Sequence, residues 1–223
     1  ALTALPSGGV WWAERRILVV ADLHLGKSER MARRGGPLLP PYEGHATLEK
    51  LAREVAALNP DKVVLLGDSF DDCAAGRALA PELEDEIRRL AHGRDWIWVA
   101  GNHDPAPAIA LGIASEDFSE VPLVFRHIAR SHGTAEVSGH FHPKIQVPVG
   151  QRMMSRPCFV RTPNQLILPA YGAYTGGLRL SAPAFDPLLR QGGIAILTGR
   201  APCAVPIPPR HAPRNAVPGG AVC

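Results

Sequence analysis

Three short, almost wholly apolar runs, each passing directly into a polar motif, limit the folds open to this chain more than anything else in it. Arg15–Ala21 (RRILVVA) leads into Asp22-Leu23-His24, Lys62–Leu66 (KVVLL) into Gly67-Asp68-Ser69-Phe70-Asp71, and Trp96–Ala100 (WIWVA) into Gly101-Asn102-His103-Asp104. Compact runs of β-branched and aromatic residues without polar alternation read as strands covered on both faces. Helical signals lie between them. Tyr42–Leu58 carries Leu48, Leu51, Val55 and Leu58 at spacings of three and four, a single apolar stripe that Asn59-Pro60 ends. Pro81–Ala91 is a charged helix that Pro81 can start. Arg33–Pro41, rich in Gly and Pro, reads as a loop. The order strand, helix, strand, helix, strand predicts partly parallel strands joined by right-handed crossovers, with helices on the faces.

The pattern changes after Pro122. Val121–Phe125, Ala135–Ser138, Cys158–Arg161, Leu166–Leu168 and Ile194–Leu197 are short runs separated by Gly and Pro, as expected for a second and more antiparallel sheet. No charged linker separates the halves, so one domain of two packed sheets is expected over residues 1–199. The segment 200–223 holds six prolines and no helical or strand period, and is expected to be an irregular tail. At 223 residues with 46% apolar and 20% charged residues, the chain is long enough for one sizeable core of ordinary globular type. No stretch nears the ~18 uninterrupted apolar residues of a membrane span, so no membrane association is expected. The N-terminus shows no basic run followed by an apolar core, and Cys73, Cys158, Cys203 and Cys223 lack any paired spacing. Free thiols and a cytoplasmic location are therefore expected.

The motifs gain meaning from their placement. Alternate residues of an extended chain point the same way, so Asp22 and His24 can face one point, as can His140 and His142 of Gly139-His140-Phe141-His142. Ligands of open α/β sheets sit beyond the carboxyl ends of the strands, where all these motifs fall. Singly, each has an ordinary explanation: a turn, a helix cap at Asn102 or Asp104, a surface pair of histidines. Together and in order, they assemble carboxylates, imidazoles and an amide, a donor set that suits Mn, Fe or Zn better than Mg or Ca. One carboxylate shared by two ions would make a dinuclear centre with metals about 3.5–4 Å apart.

Asp22-x-His24, Gly67-Asp68-x-x-Asp71, Gly101-Asn102-His103-Asp104, His127 and Gly139-His140-x-His142 resemble the calcineurin-like metallophosphoesterase superfamily. More narrowly, Asp22-Leu-His-Leu-Gly-Lys27, Leu66-Gly-Asp-Ser-Phe70, Ser138-Gly-His-Phe-His-Pro143, Arg156-Pro-Cys-Phe159 and the Leu168–Gly177 stretch (LPAYGAYTGG) resemble the ligase-associated DNA damage response endonucleases of PdeM type. The resemblance implies an α/β fold, a four-layer α/β/β/α sandwich of two mixed sheets. It implies two divalent ions, manganese foremost with iron or zinc as alternatives. Asp22, His24 and His142 would hold the first ion, Asn102, His127 and His140 the second, and Asp68 would bridge them. His132 lies five residues beyond His127 and is the alternative ligand; His127 is favoured because it follows the apolar run. His103 would serve the leaving group, oriented by Asp71, with Asp104 the less favoured partner.

The implied activity is phosphodiester hydrolysis by hydroxide shared between the ions, as a DNA endonuclease or phosphodiesterase acting in repair beside a ligase and a helicase. Charge argues for nucleic acid only weakly, since the net charge is +3. Lys27, Arg30, Arg33 and Arg34 follow the first motif closely and could contact a phosphate backbone, or simply form a solvated surface. Tyr171 and Tyr174 could stack on a base, but packing against the second sheet is the favoured reading. Two other functions fit the same residues: a phosphatase or phosphodiesterase for a small nucleotide or other phosphoester, and a non-catalytic metal-binding scaffold.

Overall fold

The computed structural model describes residues 1–106, 108–130, 135–200 and 202–210. The N-terminal part begins with two short strands, β1 (Leu2–Ala4) and β2 (Val10–Trp12), followed by β3 (Ile17–Val20). Helices α1 (Lys27–Arg33) and α2 (Glu43–Leu58) lead to β4 (Lys62–Leu66), and α3 (Cys73–Arg77) and α4 (Pro81–Ala91) to β5 (Asp95–Val99) and β6 (Ile113–Ser115). These strands form one six-stranded sheet in chain order, antiparallel from β1 to β3 and parallel from β3 to β6. The predicted alternation of strands and helices is therefore present, with Pro81 at the first turn of α4 and Asn59 in the left-handed conformation ending α2.

The second sheet contains β7 (Asp117–Glu120), β8 (Leu123–Arg126), β9 (Glu136–Ser138), β10 (Lys144–Val149), β11 (Arg152–Arg161), β12 (Gln165–Ile167), β13 (Gly193–Leu197) and β14 (Ala204–Ile207). Its order is β14-β13-β11-β12-β9-β8-β7, with β10 paired to β11 as a hairpin off that path. The pairs β8–β9 and β9–β12 are parallel and the others antiparallel, so this sheet is mixed.

The period-two alternation of the strands decides the layering. In β3, β4 and β5, Leu18, Val20, Val63, Leu65, Trp96 and Trp98 face α2 and α4, where they meet Leu48, Leu51 and Ile87. Their sequence neighbours Val19, Val64, Leu66, Ile97 and Val99 face the other way and pack on Phe125, Val137 and Phe159 of the second sheet. Each such aliphatic side chain, once buried, contributes about 1.5–3 kcal/mol. On the outer face of the second sheet, Cys158, Val160, Ile167 and Ala195 are covered by Leu180, Phe185 and Leu189. This fourth layer is thin. It contains a single 3-10 turn at Pro183–Phe185, because Pro183 and Pro187 lie one helical turn apart and the second cannot continue a helix.

Several elements depart from the expectations. The basic segment after Gly26, for which no element was expected, is a helix, α1, and its hydrogen-bonding partner Glu43 is buried at the start of α2, where its carboxylate accepts from the Ser28 amide and hydroxyl. The tail expected from residue 200 is not irregular over Ala204–Ile207, which adds β14 to the sheet edge with Ile207 buried. Only three of those four residues can donate to a ladder, Pro206 being excluded, which suits an edge strand. Residues 211–223 and the alternative ligand His132 lie outside the described residues. Tyr171 is fully buried, but it packs into the cluster under α2 and not against the second sheet; Tyr174 is exposed. Cys73 and Cys203 are exposed free thiols and Cys158 a buried one; Cys223 lies outside the described residues. Among the described residues no helix is long and apolar enough to cross a membrane.

Candidate metal centre

The polar motifs leave the C-terminal ends of β3, β4 and β5 and the ends of β8 and β9, so chain segments far apart in sequence converge at one rim of the sandwich. Two groups of ligand-type atoms result: Asp22, His24 and His142 in one, Asp68, His127 and His140 in the other, with the donor atoms of each group within 4.8 Å of one another. Asp22, His24, Asp68 and His127 are buried, and His140 and His142 partly exposed. The Asp22 carboxylate ties the groups together by accepting the backbone N–H of His140 at 2.9 Å.

The backbone is held in an unusual state to achieve this. Asp22, His24, Asp68, His140 and His142 all have positive φ, between 43° and 70°. For residues with a Cβ this is a costly conformation, of the kind a surrounding structure must over-determine. The surroundings do so through close approach. A Cβ on Gly101 would overlap the amide and carboxylate of Asp68, and a Cβ on Gly139 would lie 2.6 Å from Asp22 Oδ2. The glycines that open three of the motifs, Gly67, Gly101 and Gly139, are thus spaces for a neighbouring ligand.

The hydrogen bonding of these side chains tests whether they suit a cation. His127 Nδ1 lies 2.8 Å from the Leu66 carbonyl, so in the neutral ring the proton is on Nδ1 and Nε2 carries a lone pair. That lone pair faces Asn102 Oδ1 at 2.9 Å, His140 Nδ1 at 3.2 Å and Asp68 Oδ2 at 3.4 Å. In the other group His24 Nε2 and His142 Nε2 approach to 3.3 Å, with Asp22 Oδ1 3.3 Å from the latter. Two nitrogen or oxygen donors at these separations can both turn their lone pairs on one cation. The histidine separations match those of two ligands each about 2.0–2.1 Å from one tetrahedral ion. The residues therefore fit two divalent cations, and Asn102 joins the second group although it carries no titratable atom.

Electrostatics agree. Burial works against ionisation of Asp68, but the His127 ring, which donates to this carboxylate when it carries a second proton, and the His103 N–H hold its pKa down to about 2. Burial likewise opposes ionisation of Asp71, and His24, Arg30 and Lys27 overcome it, keeping that carboxyl far below the usual range. Asp104 is the exception. Burial, reinforced by the charge of Asp68, pushes it up to about 7. Its Oδ2 accepts the Phe70 N–H at 3.0 Å and so braces the turn that carries Asp68.

Two expected roles are revised by these contacts. The carboxylate of Asp71 does not orient His103; its backbone carbonyl does, 3.1 Å from His103 Nδ1. The carboxylate turns to His24 Nδ1 at 2.9 Å, Arg30 Nη1 at 2.7 Å and Lys27 Nζ at 3.4 Å. The cause is α1, whose positions 27 and 30 lie on one helical face and draw the acid towards them. Asp104 is not the partner of His103 either, being engaged with the Phe70 amide. The basic cluster is correspondingly not a row of free cations, since Arg33 pairs with Asp72 at 2.8 Å and Arg34 reaches the same acid at 4.0 Å. Four cations around two acids still leave an excess of positive charge beside the first group.

Some contributors had little sequence signal. Thr47 accepts the Ala173 N–H at 2.9 Å, and the Tyr171 and Gly172 amides donate to the carbonyls of Ala21 and Asp22, so the LPAYGAYTGG stretch buttresses the first ligand motif. An amphipathic stripe could have shown only that Thr47 lies on the inner face of α2, not which loop it meets.

Comparison with known proteins accords with this geometry. The calcineurin-like phosphoesterase family matches residues 15–196. Among solved structures, the nuclease MPE of Pseudomonas putida is 27% identical, with a TM-score of 0.70 over 93% of this chain and 95% of that one. Yfce, a phosphoesterase from E. coli, is 12% identical with a TM-score of 0.42, over 86% of this chain and 98% of that one. No curated protein sequence matches. A family match over most of the chain, on a fold that gathers the family's ligand types into two groups, makes this chain a member of the calcineurin-like phosphoesterase family and a hydrolase acting on phosphoester bonds.

Proposed function

We propose that this chain is a nuclease that hydrolyses phosphodiester bonds of DNA with two divalent ions, manganese foremost. The observation that carries the reading is the pair of three-residue ligand groups side by side, tied by Asp22. Similarity over 93% of the chain to the nuclease MPE of Pseudomonas putida favours a nucleic acid over a small phosphoester. When bound, the two ions supply Lewis acidity toward phosphate oxygens and a water acidic enough to act as nucleophile near neutral pH.

The chain's own residues do the rest. Asp22, His24 and His142 would hold one ion and Asn102, His127 and His140 the other, with Asp68, which is grouped with the second set, the residue that would serve both. His103, its Nδ1 engaged by the Asp71 carbonyl, is left with Nε2 to hold a proton for the departing oxygen. Such protonation contributes about 10²–10⁴-fold. The excess positive charge of Lys27, Arg30, Arg33 and Arg34 attracts the DNA backbone. The same proposal places the protein in cytoplasmic DNA repair with a ligase and a helicase, and co-purification of those enzymes from cells with damaged DNA tests that part.

The direct test is nicking of supercoiled plasmid across a series of divalent metals, beside hydrolysis of a panel of small phosphoesters. Nicking that appears with manganese and disappears with chelator is the expected result. Turnover of small phosphoesters without nicking would replace the nuclease by a small-molecule phosphoesterase. Metal uptake without hydrolysis of any phosphoester would leave a scaffold.

A further inference from the structure

Beside the second ligand group an open cleft of about 440 Å³ lies between the Gly101-Asn102 turn and the end of β8. Asn102 and His127 belong to both the cleft and the metal centre, and Glu116, Asp117, Arg126 and Arg130 complete its wall. Its two arginines differ. Arg126 is buried and held by Asp117 at 3.2 Å and Glu136 at 3.3 Å, so it belongs to the wall. Arg130 has a side chain 66% exposed, and its one ion pair among the described residues is to Asp117 at 3.7 Å. Yet its backbone is pinned on both sides: the N–H donates to Glu136 Oε1 at 2.8 Å, and the carbonyl accepts from the Gln165 amide. An exposed guanidinium, loosely paired and carried on a fixed backbone, is suited to contact a phosphate.

Resting on the nuclease reading, we propose that this cleft holds the nucleoside next to the scissile phosphate, with Arg130 contacting the following phosphate of the same strand. The volume is within the range of ligand sites. The carboxylates of Glu116 and Asp117 repel a phosphate inside the cleft but accept hydrogen bonds from a neutral nucleoside, which puts the anion at the rim where Arg130 stands. The basic helix α1 meets the first ligand group through Asp71 and His24, and Arg130 meets the second through the cleft. A polyanion crossing both groups therefore finds a cation at each end of its path. A substrate with a single phosphate gains nothing from Arg130.

The experiment compares kcat and KM of wild type, Arg130→Ala and Arg130→Lys on a DNA oligonucleotide and on bis(4-nitrophenyl) phosphate, over a range of salt. The expected result for Arg130→Ala is an oligonucleotide-to-small-ester ratio of kcat/KM about tenfold below wild type, lost through KM, as removal of one charge-assisted contact gives. The logarithmic salt dependence of oligonucleotide KM is expected to flatten by about 0.7–0.9, one phosphate contact. Arg130→Lys, which keeps the charge, restores part of both, and thermal melts of both variants show whether the fold is retained. Oligonucleotide cleavage with unchanged ratio and salt dependence in Arg130→Ala overturns the subsite and leaves the nuclease standing. Hydrolysis of the small ester with no cleavage of DNA by wild type overturns the nuclease and the nucleoside occupant with it.

Discussion

Asp71 sets a carboxylate oxygen 2.9 Å from Nδ1 of His24, while only its backbone carbonyl meets the ring of His103. A carboxylate behind a metal-binding imidazole fixes the tautomer and aims the other nitrogen. Here that nitrogen is Nε2, facing His142. Asp71→Ala is expected to weaken manganese binding at one of two sites by about 10–100-fold, with Asp71→Asn, which keeps an acceptor, in between. Calorimetric titration of manganese into metal-free protein checks this, and equal affinity in all three proteins would break the link between Asp71 and the metal.

The ligands and the proton donor should separate cleanly. Asp68→Ala or His140→Ala is expected to abolish metal binding and activity together. His103→Ala is expected to keep both metals and lose about 10²–10⁴-fold in rate. Metal content of the purified variants, measured beside phosphodiester turnover, distinguishes the two classes. Full activity of Asp68→Ala would end the two-metal reading.

Gly101 is expected to tolerate no side chain. The methyl group of Gly101→Ala would overlap the Asp68 amide and carboxylate, so the second ligand group must shift. Lost metal stoichiometry with a stability loss of about 1–3 kcal/mol is the expected outcome, read from metal analysis and denaturant melts. Normal metal content would mean that the turn has room that the close approach denies it.

The buried Tyr171 hydroxyl gives a pH signature separate from that of the metal ligands. Its hydroxyl donates to Glu54 Oε2 at 2.8 Å. Burial first, and the charge of Glu54 second, push its pKa well above the usual 10. The folded chain therefore keeps a proton that the unfolded chain releases above about pH 10. The contribution is complete below that pH and is lost as the pH rises further, because the folded state then binds more protons. Alkaline unfolding should move to higher pH in Tyr171→Phe relative to its own stability at neutral pH. In the near-ultraviolet difference between the two proteins, tyrosinate from position 171 should appear only with unfolding.

What was legible in the chain alone was local. The strands β3, β4 and β5, helices α2 and α4, and the ligand motifs at the strand ends follow from residue period, turn chemistry and donor type, which neighbours within a few residues decide. The unforeseen strands were β1, β2, β6, β7, β10 and β14, most of them three or four residues long. β6 and β7 are short and partly exposed, and β14 contains a proline, so pairing rather than composition makes them strands.

Tertiary structure decided the partners. His24 and Asp71 are 47 positions apart, and no spacing rule states that Asp71 turns its carboxylate to His24 and leaves only a carbonyl for His103. That choice required α1 to set Lys27 and Arg30 against the acid. In the same way, the left-handed backbone of five ligands and the pinned Arg130 exist only because sheet pairing brings distant glycines, carbonyls and Glu136 into contact. Donor chemistry is a property of single residues; which donor meets which acceptor is a property of chain segments that only the folded core holds together.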